Sequence, residues 1–436
     1  MSPALLLVNL LAAMPVPAPR QGTQPALAPD SVSQSAIPEA ARLRPGARFD
    51  PEAATAAYLA TVPPDKRARS DAYFEGGYWI RLWGFLLTMA LLVLVLHLGW
   101  SRRVREWAER RSGRYWVQAF LYYAAFVVLM SALSFPFDVY AGFVREHQYR
   151  LATQGFGGWM RDLLVALGVS ALLGGIAVAT LYAVLRRFPR SWPTLGAATM
   201  IVFLILGVLI APVVVAPLFN KYTLLSDPRV RDPILRLARA NGVPADRVYV
   251  MDASRQSTRI SANVSGIMGT ARITLNDNLL RRASLPEIES VMGHEMGHYV
   301  LGHVYQAILF FGVLILLGFA LLRQGFAWTT SRWGRRWGVR DVADPAGFPI
   351  LMGIFTAYFF LLSPAINSYT RSSEAAADIF GLNASRQPDG LALIALKLAE
   401  YRKLAPGPLE EALFYDHPSG RSRIRMAMRW KTEYGP

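Results

Sequence analysis

The residues best able to perform chemistry in this sequence lie in one short run, 294–298, which reads His-Glu-Met-Gly-His. Upstream of it, Ser284 and Glu287 have the spacing of a capping box, which predicts a helix that begins there and continues through the run. On a helix, His294 and His298 stand one turn apart on the same face. Both imidazoles can therefore reach a single metal ion.

Glu295 is rotated by about 100° from His294, so it can reach a water on the metal without binding the metal itself. This is the H-E-x-x-H arrangement of zinc peptidases. In that chemistry zinc lowers the pKa of a water toward about 7 and polarises the scissile carbonyl, while the glutamate accepts the proton and passes it to the leaving amine. A chance match on an ordinary helix is the alternative, and the capped helical context argues against it.

Because the sequence contains no cysteine, a metal site must use histidine and carboxylate ligands, and a tetrahedral zinc needs a third one. The segment 371–378 reads Arg-Ser-Ser-Glu-Ala-Ala-Ala-Asp and is predicted to be helical. Glu374 is the predicted third ligand. Asp378, four residues later on the same face, is placed to accept a hydrogen bond from a ligand imidazole. On spacing alone, a solvated acidic helix face is an equally good interpretation.

Long apolar stretches must position these residues. Of the 436 residues, 53% are hydrophobic and only 17% are charged, whereas soluble domains usually carry about 25% charged residues. Six stretches have the length and polarity of membrane-spanning helices. They lie at roughly 80–100, 115–135, 163–185, 194–216, 304–323 and 347–368. The sequence therefore predicts a mainly α, multi-span helical membrane protein with a zincin-like metallopeptidase domain, comprising the H-E-x-x-H helix, a glutamate helix and a small edge β-hairpin.

Composition divides the chain into six parts. Residues 1–16 are apolar but short, and we expect a signal peptide or a weak first span there. The other parts are a linker and extramembrane lead-in at 17–78, four spanning helices at 79–218, the metallopeptidase segment at 219–303, two spanning helices at 304–368, and a C-terminal segment at 369–436 with Glu374 and His417.

An excess of basic residues gives the chain a formal net charge of +16, for which nucleic-acid binding is one interpretation. The arginines, however, cluster in the loops 101–114, 186–193 and 324–340, which share one side of the membrane if every predicted span crosses. The positive-inside rule makes that side cytoplasmic and places 217–303 and 369–436, with the metal site, on the other side. The expected partners are membrane lipids and polypeptide substrates, and no nucleic acid.

Six motifs occur in order along the chain, with predicted spans on both sides of the His-Glu-Met-Gly-His run. The other five are 146–150 (Glu-His-Gln-Tyr-Arg), 216–221 (Ala-Pro-Leu-Phe-Asn-Lys), 261–266 (Ser-Ala-Asn-Val-Ser-Gly), 371–374 (Arg-Ser-Ser-Glu) with Asp378, and His417-Pro418 with Arg423. Many peptidases share H-E-x-x-H, but the ordered set is far more specific. From about residue 46 to about residue 430, the chain resembles the membrane-embedded zinc metallopeptidases of the type I CAAX prenyl protease family, which has bacterial relatives.

The resemblance implies a role for each matching residue. Glu374 would be the third zinc ligand, and Asp378 would orient a ligand imidazole. Asn263 resembles the family residue on an edge strand that pairs with the substrate backbone, and the alternating pattern at 257–275 independently fits a strand pair. His417 resembles the histidine that steadies the oxyanion of the tetrahedral intermediate.

Arg423 resembles a family position that supports the site from nearby. The family fold is a ring of spanning helices around a large chamber, which the zinc domain closes at one end. Family members commonly have seven spans, whereas six are predicted here. The common eukaryotic members also present zinc toward the cytosol, whereas the arginine distribution here favours the opposite side.

One further histidine lies near the motif. His303 comes five residues after His298, so helical spacing predicts that it points away from the metal face and has a structural or chamber-lining role.

The sequence thus predicts a membrane-integrated zinc metalloendopeptidase, with one zinc ion per chain, that hydrolyses membrane-associated or unfolded polypeptides in a bacterial inner membrane. A strict prenyl-CAAX processing protease is an alternative with the same chemistry, but nothing in the sequence reads a prenyl group. A non-enzymatic zinc-binding scaffold would need a defect at a ligand or at the base, and all four central residues are present. A transporter would place paired charges inside its spans, which carry almost no acidic residues.

Overall fold

The computed structural model describes residues 36–44, 46, 48–266 and 270–435. The signal peptide or weak first span that is expected at residues 1–16 lies outside these residues. The described chain consists mostly of helices and contains one small sheet. The predicted fold class is therefore confirmed.

The first half of the described chain is a series of helices. In chain order they are α1 (Pro51–Ala60), α2 (Pro64–His97), α3 (Trp100–Arg111), α4 (Tyr115–Gln148), α5 (Phe156–Arg187) and α6 (Trp192–Phe219). All except α1 and α3 are long and apolar enough to cross a membrane. The first four predicted spans fall largely within these helices, which are longer. Because α2 already begins at Pro64, part of the predicted lead-in at 17–78 is helical and continuous with the first span.

The apolar side chains of these helices are largely exposed. In the most apolar 18-residue window, only 17% of the residues of α2, α5 and α6 are buried, and only 11% of those of α4. Soluble proteins rarely leave so large a contiguous apolar surface exposed. A bilayer accommodates it, because a helix satisfies its own backbone hydrogen bonds and its apolar side chains can face lipid.

The three basic loops meet at one end of the helix bundle. Arg105 of α3 donates to Asp344 Oδ2 at 2.7 Å and to the carbonyl oxygen of Gly338 at 3.0 Å. The guanidinium of Arg186, at the end of α5, lies 4.3 Å from the ring centroid of Tyr115 at the start of α4. These contacts join the loops that the sequence expects on a common side.

A small mixed sheet follows α6. In chain order its elements are β1 (Tyr222–Leu224), α7 (Pro228–Ala240), β2 (Val248–Met251), β3 (Ala262–Ser265), β4 (Arg272–Asn276) and α8 (Asp277–Arg282). The strand order is β1-β2-β4-β3, with β2 and β4 parallel and the other two pairs antiparallel. β3 and β4 form the predicted strand pair, which places Asn263 opposite Thr274 on the edge strand.

The run 294–298 lies on α9 (Leu285–Val300), which begins with the predicted capping box. There Glu287 Oε2 accepts a hydrogen bond from the backbone N–H of Ser284 at 2.7 Å. The next helix, α10 (His303–Trp337), is the fifth candidate span.

The sixth predicted span, 347–368, is not one straight helix. It is divided between α11 (Phe348–Leu361) and α12 (Ser363–Ser385), and the chain bends by 55° where they meet. Pro364 lies in the first turn of α12, where its ring and its missing N–H interrupt a continuous helix. The described residues thus contain five candidate spans, or six if the bent pair crosses as one. The bend directs α12, which carries Glu374, against α9.

Three helices complete the chain, namely α13 (Pro388–Leu398), α14 (Pro408–Phe414) and α15 (Gly420–Tyr434). The extramembrane core lies between the sheet, α9, α13 and α15. Its fully buried side chains include Ile273, Leu275, Met292, Ile424 and Met428. Burial of this apolar surface fixes α9 against the sheet and against the C-terminal helices.

Candidate metal centre

The two helices that carry the predicted ligands, α9 and α12, cross in close backbone contact. A Cβ atom on Gly381 would lie 2.7 Å from the backbone nitrogen of His294, and one on Gly293 would lie 2.9 Å from the carbonyl oxygen of Gly381. One turn along α9, a Cβ on Gly297 would lie 3.1 Å from the Cα of Ala377. Small residues on both helices permit this approach, which brings the neighbouring polar side chains together.

The three predicted ligands form a compact triangle. His294 Nε2 lies 3.1 Å from His298 Nε2 and 3.3 Å from Glu374 Oε2, and His298 Nε2 lies 3.5 Å from Glu374 Oε1. A tetrahedral zinc with ligand distances of about 2.0–2.1 Å separates its ligand atoms by about 3.3 Å. Glu374 Oε2 is buried and accepts no hydrogen bond from any described residue. The donor set and its dimensions therefore fit one small divalent cation.

Asp378 and Arg423 contact the triangle on the side of His294 that faces away from the other two ligands. The Nδ1–H of His294 can donate to Asp378 Oδ1 at 2.8 Å, which leaves His294 Nε2 free to bind a metal. Arg423 donates to the same carboxylate oxygen. Both residues are buried, so the guanidinium balances a carboxylate that would otherwise be costly to remove from water.

His303 lies against the metal site, and the expectation that it points away is wrong. Its Nδ1 is 2.8 Å from His298 Nδ1, the ring nitrogen of His298 that faces away from the triangle. Helical spacing misplaced His303 because α9 ends before it. Gly302 takes a left-handed conformation (φ 67°) that resets the direction of the chain. The glycine directly before the histidine is the sequence signal that could have revealed this contact.

His417 joins the site from the segment between α14 and α15. Its Nε2 lies 3.3 Å from Glu374 Oε2, and its Nδ1 is hydrogen-bonded to Asp416 Oδ1 at 2.8 Å. The guanidinium of Arg402 is 3.4 Å from the same Nε2. Asp416 and Arg402 are two neighbours that sequence reasoning did not identify, although the adjacent Asp-His pair was a visible signal for the first.

The carboxylate of Glu295 makes no hydrogen bond or ion pair with the described residues. Burial raises the pKa of Glu295 to about 7, although the charge of His294 opposes this effect. A carboxylate with a pKa near neutrality can accept a proton in one step and release it in the next. Glu295 is therefore available for acid–base chemistry beside the triangle.

The local electrostatics favour a positive charge between the ligands. Burial disfavours a charge on the His294 imidazole, but the hydrogen bond to Asp378 and the negative charges of Asp378 and Glu374 outweigh it and raise the pKa of His294 to about 10. Burial, reinforced by the charge on His294, lowers the pKa of His298 to about 3. The two carboxylates therefore favour one positive charge between the two imidazoles. A bound metal ion would supply that charge.

The edge strand β3 carries the remaining predicted site residue. Asn263 Oδ1 is buried and has no hydrogen-bond partner among the described residues. In the described sheet, β3 pairs with β4 on one side and its other edge is open. An open edge and an unsatisfied amide oxygen can both accept hydrogen bonds from an extended peptide.

Two protein-family models match the chain. Residues 52–221 match the one described as CAAX prenyl protease N-terminal, five membrane helices, and residues 224–431 match Peptidase family M48. The boundary between the two matches falls in β1. Together the two matches include all the candidate spans and all the metal-site residues.

Curated relatives agree with these matches. The chain is 26% identical over 395 residues to a Bacillus subtilis protein named "Uncharacterized metalloprotease YhfN", and the alignment covers 90% of each chain. It is 28% identical over 319 residues to CAAX prenyl protease 1 of Saccharomyces cerevisiae, covering 69% of this chain and 70% of that protein.

A solved structure has the same fold. The crystal structure of S. mikatae Ste24p superposes with a TM-score of 0.72 at 21% sequence identity, covering 84% of this chain and 89% of that one. The fold is therefore shared over most of the length of both chains.

The contact between His303 and His298 generates a prediction about metal affinity. The His303→Ala substitution removes the group that orients the His298 imidazole, and such losses typically weaken metal binding by about 10- to 100-fold. Competition with a chromophoric chelator on the purified protein measures this affinity directly.

His147 offers a matched control, because its Nδ1 bonds only to the carbonyl oxygen of Phe143 at 2.8 Å, within its own helix. The His147→Ala variant should bind metal as the wild type does. Equal affinity in the His303→Ala variant and the wild type would remove His303 from the site.

Proposed function

We propose that the chain is a zinc-dependent endopeptidase, one of the membrane-embedded metallopeptidases of Peptidase family M48, and that it acts on membrane-associated or unfolded polypeptides. One observation carries the proposal, namely the compact triangle of His294, His298 and Glu374 with the unpaired carboxylate of Glu295 beside it. A binding site alone needs the triangle but has no use for an unpaired, half-buried carboxylate.

The proposed cofactor is one zinc ion per chain, held by His294, His298 and Glu374. When bound, zinc would supply a Lewis acid that polarises the scissile carbonyl and acidifies a water molecule. The hydrogen bond from His294 to Asp378 fixes the tautomer of the ligand imidazole, and Arg423 keeps Asp378 ionised for that task.

Glu295 is proposed as the general base. Its carboxylate accepts a proton from the water that attacks the peptide carbonyl, and later delivers that proton to the leaving amine. A pKa of about 7 suits both steps, because the group is neither too weak a base nor too weak an acid near neutral pH. The lack of any competing hydrogen bond leaves both oxygens of Glu295 free for the water.

His417 is proposed, with both ring nitrogens protonated, to donate a hydrogen bond from Nε2 to the oxyanion that develops on the substrate carbonyl. Its position beside Glu374 places this nitrogen at the edge of the metal triangle. Asp416 accepts from Nδ1 and holds the ring in that orientation, which avoids reorganisation during the reaction.

Asn263 and the open edge of β3 are proposed to bind the substrate. An extended peptide that adds to this edge forms main-chain hydrogen bonds, and Asn263 Oδ1 accepts a further one from a substrate N–H. Main-chain pairing makes few demands on the substrate's side chains. The proposed substrates are therefore unfolded or membrane-associated polypeptides as a class.

A strict prenyl-CAAX processing protease is the alternative within this chemistry, and several relatives, including the Saccharomyces cerevisiae protein, are named for that activity. A non-enzymatic zinc scaffold would not need Glu295. Cleavage of an unprenylated, unstructured peptide distinguishes the broader peptidase from both alternatives, because neither of them would perform it.

The proposed location is a bacterial inner membrane, with the metal centre on the non-cytoplasmic side. The three basic loops lie at the end of the helix bundle opposite the metal domain, and the positive-inside rule assigns such loops to the cytoplasm. This orientation differs from the one described for the common eukaryotic members.

A labelling experiment tests the orientation, since the chain has no native cysteine. We expect a membrane-impermeant thiol reagent to label an Ala240→Cys variant, near the metal domain, from the non-cytoplasmic side of intact cells. A Ser331→Cys variant, in the basic loop region, should be labelled only after lysis. The reverse pattern would place the metal centre in the cytoplasm.

The decisive test of catalysis is the Glu295→Gln substitution. Because the amide cannot accept the water's proton, the cleavage rate of an unstructured reporter peptide should fall by at least about 10²-fold. Zinc content, measured by elemental analysis of the detergent-purified protein, should stay near one ion per chain. Turnover retained in this variant would exclude Glu295 as the base.

Metal binding has its own test in the Glu374→Ala variant. Loss of the only carboxylate in the triangle should lower the zinc content, and the wild type should lose cleavage when a zinc chelator is added. The Glu289→Ala variant is a matched control, because Glu289 lies on α9 and is bonded to Gln387 rather than to the site. Full zinc occupancy in Glu374→Ala would refute the assignment.

A further inference from the structure

The segment that leads into the substrate-binding edge strand runs along the ends of the membrane helices. The backbone N–H of Thr258 donates to the carbonyl oxygen of Leu151 at 3.0 Å, and that of Thr153 donates to Gln256 at 3.1 Å. Ala152 and Ser257 form an antiparallel bridge between these bonds. The loop after α4 thus pairs like a short strand with the residues that precede β3.

The same segment, residues 257–261, is also hydrogen-bonded to the extramembrane domain through its carbonyl groups. Five successive carbonyl oxygens each accept a hydrogen bond from the extramembrane domain. These are Ser257 from Asn278 at 2.7 Å, Thr258 from Arg282 at 2.5 Å, Arg259 from Asn276 at 2.7 Å, Ile260 from Tyr401 at 3.5 Å and Ser261 from the Asn276 backbone at 2.9 Å. The open edge of β3 begins at the next residue, Ala262.

One side-chain triad ties this fixed segment to two membrane helices. Arg259 donates to Glu146 Oε2 at 2.7 Å and to the hydroxyl oxygen of Tyr73 at 2.7 Å. Tyr73 in turn donates to Glu146 Oε1 at 2.6 Å. Tyr73 lies on α2, Glu146 on α4 and Arg259 three residues before β3, so three separate parts of the chain meet in one closed ring of hydrogen bonds.

Neighbouring contacts hold the triad in place. The guanidinium of Arg145 lies 4.1 Å from the ring centroid of Tyr73, and the Tyr149 ring packs edge-on against it at 5.0 Å. The backbone carbonyl of Glu146 also accepts from the N–H of Leu151 at 2.8 Å. The side chain of Glu146 therefore contacts the segment before β3. Its backbone carbonyl fixes the loop that pairs with the same segment.

We propose that Tyr73, Glu146 and Arg259 are positioning residues that set the place of the β3 edge relative to the metal centre, so that the membrane helices govern substrate binding. This inference rests on the proposed function, in which β3 binds the peptide backbone. The triad touches neither the metal triangle nor the proposed oxyanion donor. Its effect must therefore reach the reaction through the position of β3.

A purely structural role would give a different outcome. The Arg259 side chain is 39% exposed, and ion pairs of this kind contribute little to overall stability. The segment also keeps its carbonyl hydrogen bonds when the triad is broken. Loss of the triad should therefore loosen the segment at the helix ends without unfolding the domain.

The test compares the wild type with the Glu146→Gln variant, which keeps the size of the side chain and removes its charge. For an unstructured reporter peptide, KM should rise roughly five- to tenfold, as coupled contacts of this kind allow. The value of kcat and the zinc content should stay near those of the wild type. Amide hydrogen exchange across residues 257–266, followed by mass spectrometry, should become faster.

An Arg259→Gln variant and the double variant complete a cycle. Because both residues act through one contact, the double variant should be no worse than either single one. The matched control is Glu109→Gln, which removes an equivalent ion pair to Arg340 (2.7 Å) at the opposite end of the bundle. This control should change neither KM nor exchange at residues 257–266.

Unchanged KM and unchanged exchange in Glu146→Gln would overturn the proposal, and so would a parallel loss of zinc, which would indicate a general structural role. If the wild type cleaves no peptide, the proposed function fails separately. Exchange at residues 257–266 then decides whether the triad positions the strand, with faster exchange supporting the proposal and unchanged exchange overturning it.

Discussion

The close crossing of α9 and α12 is the constraint on which the rest of this site depends. Gly293 and Gly381 face each other where a side chain on either would collide with backbone, and the Gly297–Ala377 contact repeats the approach one turn later. Interaxial distances between helices depend on the side chains at the contact. Larger residues here would move Glu374 away from both histidines. The three ligand atoms would then lie too far apart to bind a single zinc ion.

The same crossing buries several charges, and their arrangement makes this burial tolerable. Asp378 is balanced by Arg423 and hydrogen-bonded to His294, which leaves Glu374 without a permanent counter-charge. A buried carboxylate in that position is costly unless a cation accompanies it. The demand for a metal thus follows from the distribution of charge as well as from the ligand types. The ionised Asp378 also completes the link from Arg423 to the ligand imidazole.

Features with a local cause could be predicted from the sequence. The helix of the H-E-x-x-H run, its capping box, the long apolar helices and the strand pair around Asn263 each follow from spacing within a short window. Glu374 was ambiguous by spacing alone and depended on the resemblance to a family. The contact of His303 was missed because the left-handed Gly302 changes the direction of the chain between two helices. The bend at Pro364 was missed because hydropathy measures apolar length and carries no information about direction.

The two ends of the helix bundle make different kinds of contact. At the basic end, the buried Arg105–Asp344 pair joins α3 to the loop after α10. This contact helps to fix the relative positions of the helices along the bundle. At the other end, α12, the second helix of the bent pair, carries Glu374, while the start of α2 and the end of α4 provide the contacts that hold the segment before β3. Both Glu374 and the segment before β3 therefore depend on helices of the same bundle. A change in the packing of these helices would therefore alter the distance between β3 and the metal ligands.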